Sequence, residues 1–480
     1  MATTEDLPKA WRPPMGWNSW DSYGTTVTDR EVLANARFMA EHLKDVGWDT
    51  IVVDIDWYDP TARAHGYNAN APLILDEYGR QLPDPERFPS AADGHGFAPL
   101  AEQIHAMGLK FGVHMMRGIP RLAVDNNLPV KGTPYTAQEV ADLNHVCKWN
   151  SDNYGLNHNH SGAQAWYDEQ LDLFASWGLD FLKVDDMQTP FHSAEIAAYH
   201  NAIAKAEAQY GRSISLSLSP GGWVSTGYTE FLRDSAQMWR ISDDLWDRWE
   251  DIYQQFPRLA RWAPFQTTGH WADADMLPLG HIGLRAERGD DRQSRLTEDE
   301  SRTLLALWCM GRSPLMVGGD LPTSTSETIE LLANPALREV TAGSTNNHET
   351  VYERIFERWD DENSYLGDLV VWAADAADWA DGTPSAHSGG HYAAIFWTGD
   401  RDYELPATIE LQSIVGLSQR NDPWTITNLF DDETNATGET DVTGARIEGE
   451  GEDRSSVEPY QRMACSGSHS TRADGNQQSL

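Results

Sequence analysis

The stretch WGLDFLKVDDM (177–187) sets Lys183, Asp185 and Asp186 at the end of a mostly apolar run. Inside a strand a carboxylate would be desolvated at high cost; at a strand's exposed end it can be solvated, paired and aimed. A polar turn following a core strand is the plainer reading. Two carboxylates facing each other across a sugar-sized gap can break a glycosidic bond. In the retaining mechanism one attacks the anomeric carbon while the other protonates the departing oxygen, with roughly 5–5.5 Å between them. Asp185 is the candidate nucleophile. Lys183 lies two residues earlier on the same strand face, where it can reach substrate hydroxyls and keep Asp185 ionised. In WRISDDLWDRW (239–249), Asp244 is the candidate acid/base, with Arg240 behind it and Asp243 as the fallback.

Such groups need strand ends that converge. From Pro13 to about Val340, short apolar strands alternate with longer helical stretches. The strands are expected in MGWNSW (15–20), TIVVDIDW (50–57), LKFGVHMM (109–116) and DFLKVDDM (180–187). They continue in SISLSLSP (213–220), QMWRISDD (237–244), WADADMLPLG (271–280) and SPLMVGGD (313–320). Between the first two, Val32, Leu33, Ala36, Met39 and Leu43 share one helical face. Gly47 and Gly178 stand where helices should stop. Eight such units predict an α/β fold, a (β/α)8 barrel, in preference to a doubly wound sheet.

In a barrel of this kind the chemistry sits at the C-terminal ends of the strands. Polar residues collect there in this chain: Trp17 and Asn18, Asp54 and Asp56, His114, Lys183 and Asp185, Arg240 and Asp244, Asp273 and Asp275. The inserts 60–96 and 117–160 are expected as loops of the functional rim. HNH (158–160) has the spacing of two metal ligands but no companions at other strand ends, so no metal is expected.

The texture changes after about 345, where DLVVWAA (368–374), HYAAIFWTG (391–399), ATIELQSI (407–414) and PWTITNLF (423–430) read as antiparallel strands. The expected division is a barrel over 1–345, a β-sandwich over 346–460 and a disordered tail over 461–480. There are 74 acidic and 36 basic residues, a formal charge of −38, and the seven lysines end at Lys205. That balance argues against nucleic acid and anionic membranes as partners and suggests a halophilic protein, in which salt screens self-repulsion. No apolar run is long enough to span a bilayer. The start, MATTEDLPKAWRPP, has no features of a secretory signal, so a cytoplasmic protein is expected. Cys147, Cys309 and Cys465 suggest neither a disulfide framework nor a zinc site. Whether the chain is a monomer or a homo-oligomer stays open.

At these residues the chain resembles glycoside hydrolase family 27, the α-galactosidases and α-N-acetylgalactosaminidases. The resemblance runs through PPMGWNSWDSYG (13–24), WGLDFLKVDDM, WRISDDLWDRW, GHWADADML (269–277) and LLALWCMGRSPLMVGGDL (304–321), in the family's order. It implies Asp185 as the nucleophile of a Lys-x-Asp pattern and Asp244, four residues after an arginine, as the acid/base. It also implies substrate contacts at Trp17, Asp54, Lys183, Arg240 and Asp275, a barrel followed by a β-domain, and no cofactor. Three further candidates mark departures from the family pattern. Ile55 separates Asp54 from Asp56, where the family often has tandem acids gripping the sugar's 4- and 6-hydroxyls. His114 stands where a tyrosine is common, and Leu218-Ser219-Pro220 replaces a Cys-Glu-Trp.

The expected activity is retaining hydrolysis of a small-molecule or oligosaccharide α-glycoside, with α-galactosidase the first choice. Small Ser219 and Gly222 keep an α-N-acetylgalactosaminidase open, and loss of the 4/6 clamp keeps an α-glucan-cleaving, isomaltodextranase-like enzyme open. A sugar-binding protein is the reading outside enzymes.

Overall fold

The computed structural model describes residues 7–359, 362–399, 409–410, 424–430, 434–438, 446–447 and 464–466. Its centre is a ring of eight strands: β1 Met15–Asn18, β2 Thr50–Val53, β3 Lys110–Met116, β4 Phe181–Asp185, β5 Ser215–Leu218, β6 Met238–Arg240, β7 Trp271–Asp273 and β8 Leu315–Val317. Each pairs in parallel with the next in sequence from β1 to β7, and β8 returns to pair with β1. A parallel bridge from Leu277 to Val317 joins the two remaining edges, with the Leu277 N–H donating to the Met316 carbonyl at 2.8 Å. This is the (β/α)8 barrel. Every residue of β1 and β2 is buried, which is why these strands read as apolar runs and not as alternation.

The first barrel helix, Asp29–His42, opens with a reciprocal capping box between Thr28 and Glu31, a device worth about 1 kcal/mol. It buries Val32, Asn35, Ala36 and Met39, close to the face the spacing predicts. Gly47 ends the following turn in the left-handed conformation, φ +110°, which a side chain rarely adopts. The register between β3 and β4 sets His114 opposite Lys183 and Met116 opposite Asp185. That pairing brings the polar ends of these strands to one level.

The 117–160 insert is more than a loop. Ile119–Pro120, Asn153–Leu156 and Ala141–Val146 form a small antiparallel sheet. Both histidines of HNH have structural partners. His158 faces Glu195 at 3.1 Å. His160 Nδ1 accepts the Gly162 N–H at 3.1 Å, capping helix Ser161–Ser176.

Past Gly343 the chain turns to antiparallel sheet and forms the C-terminal β-sandwich domain. β9 Ser344–Trp359, β10 Glu362–Ala376 and β11 His391–Trp397 pair in order, and Ala464–Ser466 adds in parallel to β11. Two smaller pairs join Ile409–Glu410 to Arg446–Ile447 and Trp424–Thr427 to Thr434–Gly438. Val370, Trp372 and Phe396 of the large sheet share a buried cluster with Leu304 and Leu307 of the barrel helix Glu298–Met310. Across the same contact, the Tyr253 hydroxyl donates to the Asp368 carboxylate. Apart from 464–466, the expected tail lies outside the described residues. Among the described residues no helix is long and apolar enough to cross a membrane.

Candidate active site

The C-terminal ends of the barrel strands open on a cavity of about 320 Å³. Asp185, the last residue of β4, stands on its wall. Its Oδ2 lies 3.3 Å from His114 Nε2, and its Oδ1 accepts the Asp186 N–H at 2.8 Å. Burial alone would raise this carboxyl. The His114 contact, the Lys183 charge and the Asp186 N–H outweigh burial and hold it below the usual carboxylate range. The result is a largely enclosed anion, kept ionised by its neighbours.

Lys183 does not pair with Asp185 first. Its ammonium donates to Asp54 Oδ2 at 2.9 Å, an oxygen that also accepts from Asn18 Nδ2 at 2.6 Å. Asp54 Oδ1 accepts the Ile55 N–H at 2.9 Å. Burial opposes charge on both groups, yet each stabilises the other's charged form: Asp54 is held well below its ordinary range and Lys183 above its own. With three donors already on Asp54, its position is fixed before any ligand arrives.

Arg240, the last residue of β6, also lines the cavity. It lies 2.7 Å from Asp275 Oδ1 and 3.4 Å from Asp244 Oδ1. Asp275 Oδ2 also accepts the Leu245 N–H at 2.7 Å. Burial pushes the Asp275 carboxyl up to about 7, with Arg240 opposing and Asp244 and Asp273 adding to the rise. The Asp244 side chain is 45% exposed, against 17% for Asp185. One cavity therefore holds an enclosed, neighbour-stabilised carboxylate and a second, more exposed one.

Of the ten residues singled out from sequence, seven line the cavity and three do not. Asp54, His114, Lys183, Asp185, Arg240, Asp244 and Asp275 all line the cavity. Trp17, Asp56 and Ser219 are not part of its lining. Trp17 is fully buried, its indole N–H donating to the Gly319 carbonyl at 2.9 Å. Trp20, three residues on, faces the cavity instead. Asp56 turns away at φ +65° and meets Asn150 at 3.5 Å. Burial and the nearby Asp152 and Asp59 raise its carboxyl well above the usual range. Ser219 is buried behind the lining residue Pro220.

The lining also contains residues that sequence reasoning did not select: Asp21, Ile55, Tyr67, Trp149, Trp246 and Glu287. Trp20 and Asp21 lie inside a motif already quoted, and Tyr67 and Trp149 lie in the two rim inserts. Burial raises the Asp21 carboxyl well above its usual range, and the charges of Asp275 and Asp244 add to the rise.

A family profile described as alpha galactosidase A matches residues 154–342. Among solved structures, a β-L-arabinopyranosidase of glycoside hydrolase family 27 from Geobacillus stearothermophilus is 40% identical, with a TM-score of 0.80, over 92% of this chain and 94% of its own. Alpha-galactosidase 2 of Arabidopsis thaliana is 25% identical over 391 residues, 80% of this chain and 79% of that protein. The alpha-N-acetylgalactosaminidase of Rattus norvegicus is 27% identical over 349 residues, 68% of each.

Proposed function

Because the chain belongs to glycoside hydrolase family 27, we propose that its cavity carries out retaining hydrolysis of terminal α-D-galactopyranosides. The chain is a glycoside hydrolase; the sugar and the roles of single residues are our reading. Asp185 attacks the anomeric carbon, and Asp244 gives a proton to the departing oxygen and later takes one from water. Asp54 and Lys183 hold ring hydroxyls, and Arg240 with Asp275 holds the far side of the ring. The observation that carries this reading is the joint presence of Asp185, Asp244 and the tied Asp54–Lys183 pair in one cavity.

Ile55 favours a second reading, β-L-arabinopyranosides. That ring has the configuration of α-D-galactopyranose but no C6 hydroxymethyl. Ile55 lines the cavity beside Asp54, at the place of the second tandem acid, and can neither accept from a 6-hydroxyl nor yield its volume. A relative at 40% identity is named for this substrate. Leaving a hydroxyl buried without a partner costs roughly 1–3 kcal/mol, enough to change the preferred sugar. For the 2-acetamido alternative the support is thinner: a Cβ on Gly222 would lie 2.5 Å from Asp243 Oδ2, so the space before that glycine is already filled.

The test is kcat/KM for the p-nitrophenyl α-D-galactopyranoside and β-L-arabinopyranoside, on the protein and on Ile55→Asp. The substitution should move the ratio toward the galactoside by about tenfold, the scale of one polar pocket contact. Comparable or higher values for the galactoside in the unsubstituted protein support the first reading, and a clear preference for the arabinopyranoside supports the second. A dominant α-glucoside or α-N-acetylgalactosaminide activity overturns both.

We also infer a halophilic protein from the −38 charge. At low ionic strength exposed carboxylates repel one another unscreened. The melting temperature should climb by several degrees or more from dilute buffer to multimolar KCl. A flat profile would reject this inference.

A further inference from the structure

We propose that the mouth of the cavity is a second sugar subsite, in which Trp149 and Trp223 present aromatic faces to the pyranose ring of a saccharide leaving group. The proposal rests on Asp244 as the acid/base, because the departing oxygen must lie beside the group that protonates it.

An aromatic ladder runs outward from the cavity. Trp20 stacks on Tyr67 with ring centroids 5.6 Å apart and 26° between planes. Tyr67 meets Trp149 at 5.6 Å and 56°. Trp20 is buried, whereas Trp149 is 43% exposed. The last rung therefore stands at the rim with a free face.

Trp223 comes from the loop after β5, so the two tryptophans follow the strands on either side of β4, which carries Asp185. It is 84% exposed, the most exposed large apolar side chain among the described residues. A single exposed apolar residue is ordinary by itself; its anchorage is what distinguishes this one. The Gly221 N–H donates to the Ser242 carbonyl at 3.2 Å, and the Val224 N–H to the Gly221 carbonyl at 3.1 Å. The Gly222 N–H donates to Asp243 Oδ1 at 3.3 Å. Trp223 is thus held against the segment that bears Asp243 and Asp244, the segment the leaving group must pass.

The chemistry of the mouth selects the class of ligand. Asp243, Asp244 and Glu287 line the cavity together with Trp149, and Asp243 accepts the N–H of Gly222, the neighbour of Trp223. A pyranose ring answers both, with a C–H face for an indole and a hydroxyl edge for the acids. An anionic leaving group would be repelled by these carboxylates. A purely apolar one would strip water from them without replacing its hydrogen bonds.

The experiment compares two substrates of the preferred glycone: its glycosyl fluoride, which has no leaving sugar, and its 1→6 disaccharide with glucose. In Trp223→Ala the disaccharide-to-fluoride ratio of kcat/KM should fall about tenfold, the scale of a lost pocket contact. Trp223→Phe, which keeps an aromatic face, should restore most of that ratio. An unchanged ratio in Trp223→Ala, whether both rates hold or both fall together, overturns the subsite. If the unsubstituted protein turned over neither substrate, the proposed reaction would fail, and the subsite with it. Turnover of the fluoride with an unchanged ratio would reject the subsite alone.

Discussion

Asp185→Ala should lose turnover of an aryl glycoside by roughly 10⁴-fold or more, the scale of deleting a covalent nucleophile. The loss should come with little change in fold, since Asp185 sits at a strand end on the cavity wall and not in the apolar core. Everything around it serves the anion. His114 and the Asp186 N–H contact its two oxygens, and Lys183 adds charge from the same strand face. Removing the carboxylate empties the face of the sugar from which it attacks. Azide should enter there, restore part of the rate on an activated substrate, and yield a glycosyl azide of opposite anomeric configuration. Proton NMR of the unsubstituted protein's first-formed sugar must show retention. An inverted first product would remove the covalent intermediate from the mechanism and Asp185 from its role.

The barrel was legible because its signals are local and repeated. Eight mostly buried apolar runs, each closed by polar residues, leave few architectures open. Lys183, Asp185 and Arg240 were legible for the same reason, each lying in a strand or at its last residue, where the register is strict. Of the three residues that sequence reasoning misplaced, Asp56 and Ser219 lie past their strands, where that constraint lapses, and Trp17 lies inside β1. Trp17 and Trp20 are equivalent on paper in GWNSW. Trp17 belongs to β1 and hydrogen-bonds to the Gly319 carbonyl, while Trp20 belongs to the helical turn that follows. In Asp54-Ile55-Asp56 the chain leaves β2, and the positive φ of Asp56 swings it toward Asn150. Period-two reasoning places Asp54 and Asp56 on one face, but it holds only while the strand lasts. Tyr67 and Trp149 could be assigned to the rim by their inserts but not to the cavity. Their orientation depends on ring contacts distant in sequence, Tyr67 with Trp20 and Trp149 with Tyr67.

The dependence on leaving group should separate Asp244 from Asp185. A general acid contributes roughly 10²–10⁴-fold, most where the departing oxygen is most basic. Asp244→Ala should therefore lose far more activity on a disaccharide than on a substrate whose leaving group departs without protonation, such as a 2,4-dinitrophenyl glycoside. On that activated substrate the first step stays fast, while the second lacks a base to activate water. The glycosyl-enzyme should accumulate and give a burst of released phenol followed by slow turnover. Azide needs no general base, so it should accelerate the slow phase and give a glycosyl azide of the same anomeric configuration as the substrate. Asp185→Ala should give the other anomer. The pair of products distinguishes the two roles even if both variants are nearly inactive in water. Two observations support Asp244 for this work: its side chain is more exposed than that of Asp185, and among the described residues its ion-pair partner is Arg240, at 3.4 Å. Asp243, the neighbour in sequence, accepts the Gly222 N–H instead. Full activity of Asp244→Ala on the disaccharide would transfer the acid/base role to Asp243, and Asp243→Ala should then show the burst.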